Sequence, residues 1–199
     1  MQQTLLIFIK NPVLGKAKTR IAQTVGDEKA LAVYLALLEH TRNITKSIAA
    51  QKHLYYSSFV DLEDEWDNDI FQKKLQATGT LGHKMQLAFQ TAFKTADRVL
   101  IIGSDCASLS SEIIEQAFAA LEQHDFVIGP AKDGGYYLLG MRTLQPAVFE
   151  NIAWSTGQVL PTTLERIKTL GKSYFLLPTL SDIDYWEDWL TYGWALVEA

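Results

Sequence analysis

The chain has 199 residues, with 23 acidic and 18 basic side chains, so its formal net charge at pH 7 is −5. Hydrophobic residues make up 48% and charged residues 21%, which is typical of a globular domain and argues against a disordered chain. The single Cys106 excludes an internal disulfide framework and a cysteine-based zinc site, and the acidic balance argues against general nucleic-acid binding.

The first apolar run, Leu5–Ile9, is too short for the core of a signal peptide and is followed at once by Lys10. No segment approaches the roughly 20 apolar residues that a membrane span requires. We therefore expect a cytoplasmic protein without a membrane span, in which residues 1–199 form a single domain.

Strand and helix patterns alternate along the chain. The predicted strands are Thr4–Ile9, His53–Phe59, Arg98–Ile102, Phe126–Ala131, Tyr136–Met141 and Ser173–Leu177. The predicted helices are Asp27–Ile48, a helix through Met85–Ala96, one capped by Ser110 or Ser111, Gln158–Leu170 and one from about Asp184. This alternation predicts a three-layer α/β/α sandwich on a mostly parallel, Rossmann-like sheet. The acidic run Asp61–Asp69 is interpreted as a solvated face or a flexible insert.

Four cations and no acid lie in the first 26 residues, namely Lys10, Lys16, Lys18 and Arg20. Near them, Gly15 lets the backbone approach a phosphate, whose charge lysine and arginine neutralise. The segment has neither the P-loop pattern nor the dinucleotide-binding fingerprint. It is interpreted either as a phosphate-binding loop or as a solvated basic loop that balances an acidic surface.

Asp105 directly follows the predicted buried strand Arg98–Ile102. Hard cations such as Mg²⁺ take one or two protein carboxylates and complete their shell with phosphate oxygens and water, so a carboxylate at a strand tip suits them. The alternative is a turn or helix-capping aspartate. Its neighbour Cys106 has no histidine near it in sequence and is interpreted as a small buried thiol rather than a nucleophile.

Three further turns have two interpretations each. Asp133-Gly134-Gly135 favours a tight hairpin, or it forms a substrate loop in which Asp133 orients or deprotonates an acceptor. Trp154-Ser155-Thr156 is predicted to begin a helix whose N-terminus faces the same cleft. Asp184, with Glu187 three residues later, is a helix N-cap, a second metal ligand, or both.

The order of these motifs resembles that of one family. The motifs are Phe8-Ile9-Lys10-Asn11-Pro12, Gly15 with Lys18-Thr19-Arg20, Gly103-Ser104-Asp105, Gly129-Pro130-Ala131-Lys132-Asp133-Gly134-Gly135-Tyr136-Tyr137, Trp154-Ser155-Thr156 and Asp182-Ile183-Asp184. Over nearly the whole chain they are similar to the glycosyltransferase-like transferases associated with radical-SAM/selenodomain proteins. That family belongs to the nucleotide-diphospho-sugar transferase superfamily, which has the GT-A fold. Phospholactate guanylyltransferase and the molybdenum-cofactor guanylyltransferase are more distantly similar.

The resemblance implies a Mg²⁺- or Mn²⁺-dependent transferase that takes a nucleotide or nucleotide sugar and a small-molecule acceptor. The residues implied to contact the nucleotide are Lys10, Pro12, Gly15, Lys18, Thr19, Arg20, Gly82 and Lys84. The implied metal ligands are Asp105 and Asp184, and the implied catalytic residues are Asp133, Lys18 and Arg20. The implied substrate contacts are Asp133, Gly134, Gly135, Tyr136, Trp154 and Ser155. The alternatives to glycosyl transfer are nucleotidyl transfer with release of pyrophosphate, and a non-catalytic nucleotide-binding module.

Two segments depart from the family pattern. Ala107 stands where the family tends to have proline, and Gly79–Met85 reads Gly-Thr-Leu-Gly-His-Lys-Met where the family tends to have Gly-Asp-Leu-Gly-x-Arg-Met. The second departure removes a charge and a planar donor fork, which bears on the choice of base or substrate. Near the C-terminus, Trp186, Trp189 and Trp194 are interpreted either as a homodimer patch or as core packing of a terminal helix.

Overall fold

A computed structural model describes residues 2–196. Its seven strands are β1 (Gln3–Ile9), β2 (Gln51–Tyr56), β3 (Phe71–Leu75), β4 (Arg98–Ile102), β5 (Phe126–Pro130), β6 (Tyr136–Met141) and β7 (Tyr174–Leu176). Its helices are α1 (Thr19–Val25), α2 (Asp27–Lys46), α3 (Leu81–Ala92), α4 (Ser111–Ala120), α5 (Val159–Thr169) and α6 (Trp186–Tyr192), with a 3₁₀ helix over Pro146–Phe149. No helix within residues 2–196 is both long and apolar enough to cross a membrane.

All seven strands form one sheet in the order β3-β2-β1-β4-β6-β5-β7. Every pairing is parallel except those of β6, which runs antiparallel to both β4 and β5. The mostly parallel α/β architecture predicted from the sequence is therefore confirmed. Because β6 is reversed, the start of β6 lies on the same side of the sheet as the carboxyl ends of β1, β4 and β5.

Helices cover both faces of this sheet. On one face, Leu5 and Ile7 of β1 pack with Tyr34 and Leu38 of α2 and with residues of α4. On the other face, Leu6 packs with residues of α3 and α5. Successive residues of a strand point to opposite faces, so the apolar run of β1 supplies both cores. This double coverage gives the three-layer sandwich.

The sequence patterns and the observed elements differ mainly where a segment is short. The predicted bounds of β4 and β6 agree with the structure, whereas α1 and β3 were not predicted. Strand β3 reads Phe-Gln-Lys-Lys-Leu at the sheet edge, so it carries little apolar pattern. The helix predicted to begin at Trp154-Ser155-Thr156 begins at Val159 instead, after a turn. That part of the prediction is wrong.

The acidic run Asp61–Asp69 is neither a uniformly solvated face nor a loose insert. Trp66 is buried and packs edge-on against Phe71 of β3, with ring centroids 4.8 Å apart. The carboxylate of Asp64 accepts a hydrogen bond from the Tyr56 hydroxyl at 2.6 Å and pairs with Lys73 at 2.7 Å. The interpretation from sequence was wrong at these positions because the partners lie in strands on either side of the run.

The C-terminal tryptophans have different surroundings. Trp189 of α6 is buried in a third apolar cluster with Ile21 of α1 and Val33 of α2. Trp194 is 41% exposed and lies 5.0 Å from the Trp189 ring and 5.3 Å from that of His40. Core packing therefore accounts for Trp189, while a homodimer stays a prediction.

Candidate functional site

A polar cavity of about 560 Å³ opens at the carboxyl ends of the parallel strands. Among the residues predicted for the site, its walls include Lys10, Lys18, Thr19, Arg20, Asp105, Asp133, Ser155 and Asp184. The cations of the N-terminal loop thus face carboxylates that come from three other loops. The predicted association of Lys18, Arg20, Asp105, Asp133 and Asp184 in one cleft is confirmed; their roles stay predictions.

A second cavity of about 390 Å³, which we call the apolar cavity, adjoins the polar one. Lys10, Tyr34 and Asp105 line both cavities and form their common wall. The predicted residues Lys84 and Tyr136 lie in the apolar cavity, where side chains such as Phe8, Leu81 and Met85 surround them. The cleft therefore has one half suited to charged groups and one suited to flat or apolar groups.

Six of the predicted contact residues line neither cavity, namely Pro12, Gly15, Gly82, Gly134, Gly135 and Trp154. Pro12 lines a separate cavity beside α2 and Trp194. At Gly15 an added Cβ would face the Asp27 carboxylate at 3.4 Å. The structure therefore does not place these six residues on the cavity walls, and their contact with a ligand stays a prediction.

Gly82 and Trp154 hold the first turn of α3 against the turn before α5. An added Cβ at Gly82 would lie 2.7 Å from the Trp154 ring and 2.8 Å from the Phe149 carbonyl oxygen. A glycine is therefore needed here for close packing. Trp154 in turn lies edge-on to Tyr136, with ring centroids 6.5 Å apart.

Lys18 is the last residue of the N-terminal loop between β1 and α1. Its backbone has φ 50° and ψ 46°, a left-handed conformation that is costly for a residue with a Cβ, and it immediately precedes α1. Its side chain is only 7% exposed and forms an ion pair with Asp105. The same ammonium donates a hydrogen bond to the Ile183 carbonyl oxygen at 2.6 Å. These polar contacts hold the strained residue in place.

Arg20 makes the corresponding contact on the open side of the polar cavity. Its guanidinium pairs with the Asp184 carboxylate at 2.7 Å, and both side chains are partly exposed. The guanidinium also lies 5.6 Å from the centre of the Tyr185 ring. Each of the two predicted metal ligands is therefore paired with a cation, Asp105 with Lys18 just before α1 and Asp184 with Arg20 in the first turn of α1.

The sequence showed Asp182 only as part of the motif Asp182-Ile183-Asp184. It lines the apolar cavity, and its pKa is raised to about 7, chiefly by burial and then by the charges of Asp105 and Asp133. The sequence signal was the alternation around Ile183, which is fully buried and places its two neighbours in the two cavities.

Tyr34 was predicted only as part of the apolar stripe of a helix. Its hydroxyl accepts a hydrogen bond from the Lys10 backbone N–H at 2.8 Å and donates to the Lys10 carbonyl oxygen at 3.0 Å. Burial, followed by the Asp105 charge, raises its pKa. Tyr34 thereby fixes the backbone at the end of β1, where the two cavities meet. Helical spacing alone does not reveal such a contact.

The hairpin between β5 and β6 confirms the predicted tight turn. Gly134 has φ 88°, and an added Cβ would lie 2.5 Å from the Gly157 carbonyl oxygen. The Asp133 carboxylate accepts a hydrogen bond from the Gly135 backbone N–H at 2.8 Å. The hairpin therefore docks backbone against backbone on the turn before α5, with the Asp133 carboxylate at the wall of the polar cavity.

The carboxylates of the polar cavity could hold the divalent cation that the resemblance implies. Residues 2–196 contain no group of three or more His, Cys, Asp or Glu side chains that could hold a metal ion. Asp105 and Asp184 nevertheless offer carboxylate oxygens on one cavity. Mg²⁺ commonly binds through one or two carboxylates while phosphate oxygens and water fill its remaining positions. The site therefore fits a cation that is shared with a bound phosphate.

Comparisons with known proteins agree with this architecture. The family model described as "Uncharacterized protein conserved in bacteria (DUF2064)" matches residues 38–156. A search of curated proteins found no match. A solved structure from Desulfovibrio desulfuricans, provisionally described as a nucleotide-diphospho-sugar transferase, is 32% identical with a TM-score of 0.85. The match covers 93% of this chain and 84% of that one.

Two other solved structures share the fold at low sequence identity. The 4-diphosphocytidyl-2C-methyl-D-erythritol synthase of Anaerococcus prevotii is 11% identical with a TM-score of 0.60, covering 96% of this chain and 94% of that one. The 2-C-methyl-D-erythritol 4-phosphate cytidylyltransferase of Thermus thermophilus is 13% identical with a TM-score of 0.58, covering 97% and 98%.

Proposed function

The chain belongs to the DUF2064 family. We propose that it is a metal-dependent transferase acting on a nucleotide-activated donor, with a nucleotide sugar as the first candidate. The observation that carries the proposal is the polar cavity, where Lys18 and Arg20 meet Asp105 and Asp184. The 32% identical protein described as a nucleotide-diphospho-sugar transferase supports the donor class. The association with radical-SAM/selenodomain proteins, a cytoplasmic location and a homodimer stay predictions.

In this proposal Asp105 and Asp184 would hold Mg²⁺ or Mn²⁺. The bound cation would neutralise phosphate oxygens of the donor and lower the energy of the departing phosphate. Lys18 and Arg20 bind the same phosphates and stabilise negative charge that develops during transfer. The buried position of Lys18 makes its charge less screened by water than that of an exposed lysine.

The acceptor is bound on the hairpin side of the polar cavity. Asp133 orients the acceptor group or takes its proton, and Ser155 and Thr156 lie on the same wall. Docking of Gly134 on Gly157 keeps the hairpin in place. Positioning of donor and acceptor, rather than covalent chemistry by the protein, then supplies most of the rate enhancement.

The apolar cavity binds the flat part of the donor in this proposal. Tyr34 and Tyr136 supply aromatic walls, and Lys84 supplies a charge where the resembling family tends to have arginine. Lysine offers a point charge instead of a planar fork, so recognition of the base edge by a bidentate contact is lost here. The base preference is therefore expected to be broader than with arginine.

Nucleotidyl transfer is the second candidate. Lys10, Lys16, Lys18 and Arg20 all line the polar cavity. A nucleoside triphosphate carries more negative charge than a nucleotide sugar and is compensated better by four cations. In that reaction an acceptor phosphate attacks the α-phosphate, and pyrophosphate leaves.

Product analysis tests the two candidates together. The protein is incubated with Mg²⁺, a panel of nucleotide sugars or nucleoside triphosphates, and small sugar and sugar-phosphate acceptors, and the phosphorus-containing products are separated. Release of nucleoside diphosphate supports glycosyl transfer, and release of pyrophosphate supports nucleotidyl transfer. The Asp105→Asn variant is the matched control, because it keeps the size of the side chain while removing its charge. If nucleotide with Mg²⁺ raises the melting temperature but no substrate pair turns over, a binding module replaces the enzyme.

A further inference from the structure

Both proposed metal ligands already hold a positively charged side chain. The Lys18 ammonium is paired with Asp105, and the Arg20 guanidinium is paired with Asp184 at 2.7 Å. The two cations are separated by one residue in sequence: Lys18 ends the loop that is proposed to bind phosphate, and Arg20 lies in the first turn of α1. The negative charges of Asp105 and Asp184 are therefore compensated by side chains of the same protein.

The Lys18 contact competes directly with a metal ion. Lys18 pairs with one oxygen of the Asp105 carboxylate, Oδ1, so a divalent cation on this carboxylate would lie close to the ammonium and be repelled by its charge. The Lys18 side chain is 7% exposed and also donates to the Ile183 carbonyl oxygen at 2.6 Å, so water screens its charge little, whereas the Asp105 side chain is 44% exposed. A metal that binds alone would leave the Lys18 charge buried beside it, which is unfavourable.

An incoming phosphate changes this balance. Lys18 lines the polar cavity, and its long flexible side chain can move from a carboxylate to a phosphate within the same space. As the N-cap residue of α1, Lys18 makes no side-chain capping hydrogen bond to the helix, so its side chain can change partner without uncapping α1. A metal bound to phosphate brings with it a new acceptor for the displaced ammonium.

We propose that Lys18 holds the place of the divalent cation on Asp105 in the ligand-free protein and passes to the donor phosphates when metal and nucleotide enter together. Arg20 does the same at Asp184, with a smaller effect because its side chain is 57% exposed. The inference rests on the proposed function, from which it takes the metal ligands. Its consequence is that free metal binds weakly and that metal and diphosphate bind cooperatively.

The test measures Mn²⁺ binding by electron paramagnetic resonance, with and without inorganic pyrophosphate as the diphosphate probe. The wild-type protein is expected to bind Mn²⁺ more tightly when pyrophosphate is present. This affinity should also exceed the affinity of pyrophosphate for Mn²⁺ in buffer without protein. In Lys18→Met the affinity for Mn²⁺ alone rises at least about tenfold, because the competing charge is gone. The gain from pyrophosphate falls in the same variant, since the phosphate loses its lysine.

Lys16→Met is the matched control. Lys16 lines the same cavity, yet no carboxylate within residues 2–196 lies in ion-pair contact with it. Its removal lowers the positive potential without freeing a ligand, so the affinity for Mn²⁺ alone changes much less than in Lys18→Met. Equal rises in the two variants overturn the proposal, as does an unchanged or lower Mn²⁺ affinity in Lys18→Met.

Two further variants separate failure of the inference from failure of the proposed function. In Asp105→Asn, Mn²⁺ binding must be lost; if it persists, the metal assignment is wrong. If Asp105 is required but Lys18→Met gains nothing, only the place-holding role is wrong. Circular dichroism checks that the variants fold. If Lys18→Met does not fold, Arg20→Met on the exposed side replaces it. In that case an Arg20→Met variant without a rise in Mn²⁺ affinity overturns the proposal that these cations exchange with the metal.

Discussion

Asp188 reaches back by one helical turn to Asp184, and its carboxylate accepts a hydrogen bond from the Asp184 backbone N–H at 3.0 Å. A second bond, from the Tyr185 backbone N–H, measures 2.7 Å. Helix α6 begins at Trp186 with Tyr185 as its N-cap residue, so the sequence-based assignment of Asp184 as the cap is wrong. Its own carboxylate is thereby left to pair with Arg20.

This separation of roles predicts that two alanine substitutions affect different properties, Asp188→Ala mainly stability and Asp184→Ala mainly ligand binding. Asp188→Ala is expected to lower the free energy of unfolding by about 1 kcal/mol, as for a lost helix cap. Asp184→Ala is expected to cost less than about 0.5 kcal/mol, because its ion pair is exposed, while it weakens binding of metal with nucleotide. Chemical denaturation and calorimetric titration measure the two effects. Equal losses of stability would show that Asp184 still supports the helix.

The Tyr136 hydroxyl predicts a binding effect without a loss of stability. It is buried at the apolar cavity, and no partner for it lies within residues 2–196. Because removal of an unpaired buried hydroxyl leaves no donor unsatisfied, Tyr136→Phe should keep or raise the free energy of unfolding, by up to about 1 kcal/mol. Binding of metal with nucleotide should weaken if the ligand accepts from this hydroxyl.

Thr4→Val is the matched control for Tyr136→Phe. The Thr4 hydroxyl is also buried and without a partner within the described part of the chain, but it lies in β1 away from both cavities. Stability should respond to it in the same direction, with ligand affinity unchanged. A Tyr136→Phe variant that binds ligand like the wild type would remove this residue from the site.

His53 predicts a loss of stability in mild acid. Burial, followed by the charge of Lys74, lowers its pKa from 6.5 to about 4 in the folded protein. The unfolded chain therefore binds the proton more strongly than the folded protein does. The contribution of neutral, buried His53 to the free energy of unfolding is complete above pH 6.5 and is lost progressively as the pH falls to about 4. At pH 5 this loss is about 2 kcal/mol.

Denaturant unfolding of wild type and His53→Leu at pH 8 and pH 5 checks that sign. The variant lacks the titrating group, so its stability should fall less between the two pH values than that of wild type. The exposed His83, replaced by glutamine, serves as the control and should follow wild type. If His53→Leu and wild type lose the same free energy, the acid sensitivity has another source.

The contact between Gly134 and Gly157 predicts a cost that is larger than backbone strain alone. In Gly134→Ala the new Cβ would lie 2.5 Å from the Gly157 carbonyl oxygen at φ 88°, so the hairpin must shift. We expect a loss of about 2–4 kcal/mol and weaker acceptor binding through Asp133. Gly171→Ala, at φ 63° with open space around the new Cβ, should cost only about 1 kcal/mol. Similar melting temperatures for the two variants would contradict the packing argument.

Local sequence patterns were enough to predict the layered α/β class, the bounds of β4 and β6, and the placement of Asp105 and Asp133 just beyond strands. These features depend on local patterns: runs of buried apolar residues end at glycine or aspartate, and a strand that ends there must deliver the next residues to the sheet edge. Since the segments that carry Lys18, Asp105, Asp133 and Asp184 each follow a strand, their association in one cleft was predictable without knowing any side-chain direction.

The directions and contacts of those side chains depend on long-range packing and could not be predicted from local patterns. Lys18 reaches Ile183 across 165 positions of sequence, and Asp64 finds Lys73 on an edge strand that has no apolar pattern. Pro12 and Gly15, by contrast, lie in the same loop as Lys18 and are turned away from the polar cavity. In loops, the side-chain direction follows backbone angles that long-range contacts impose, as the left-handed Lys18 shows. No periodicity of the sequence records such contacts, so they appear only once the chain has folded.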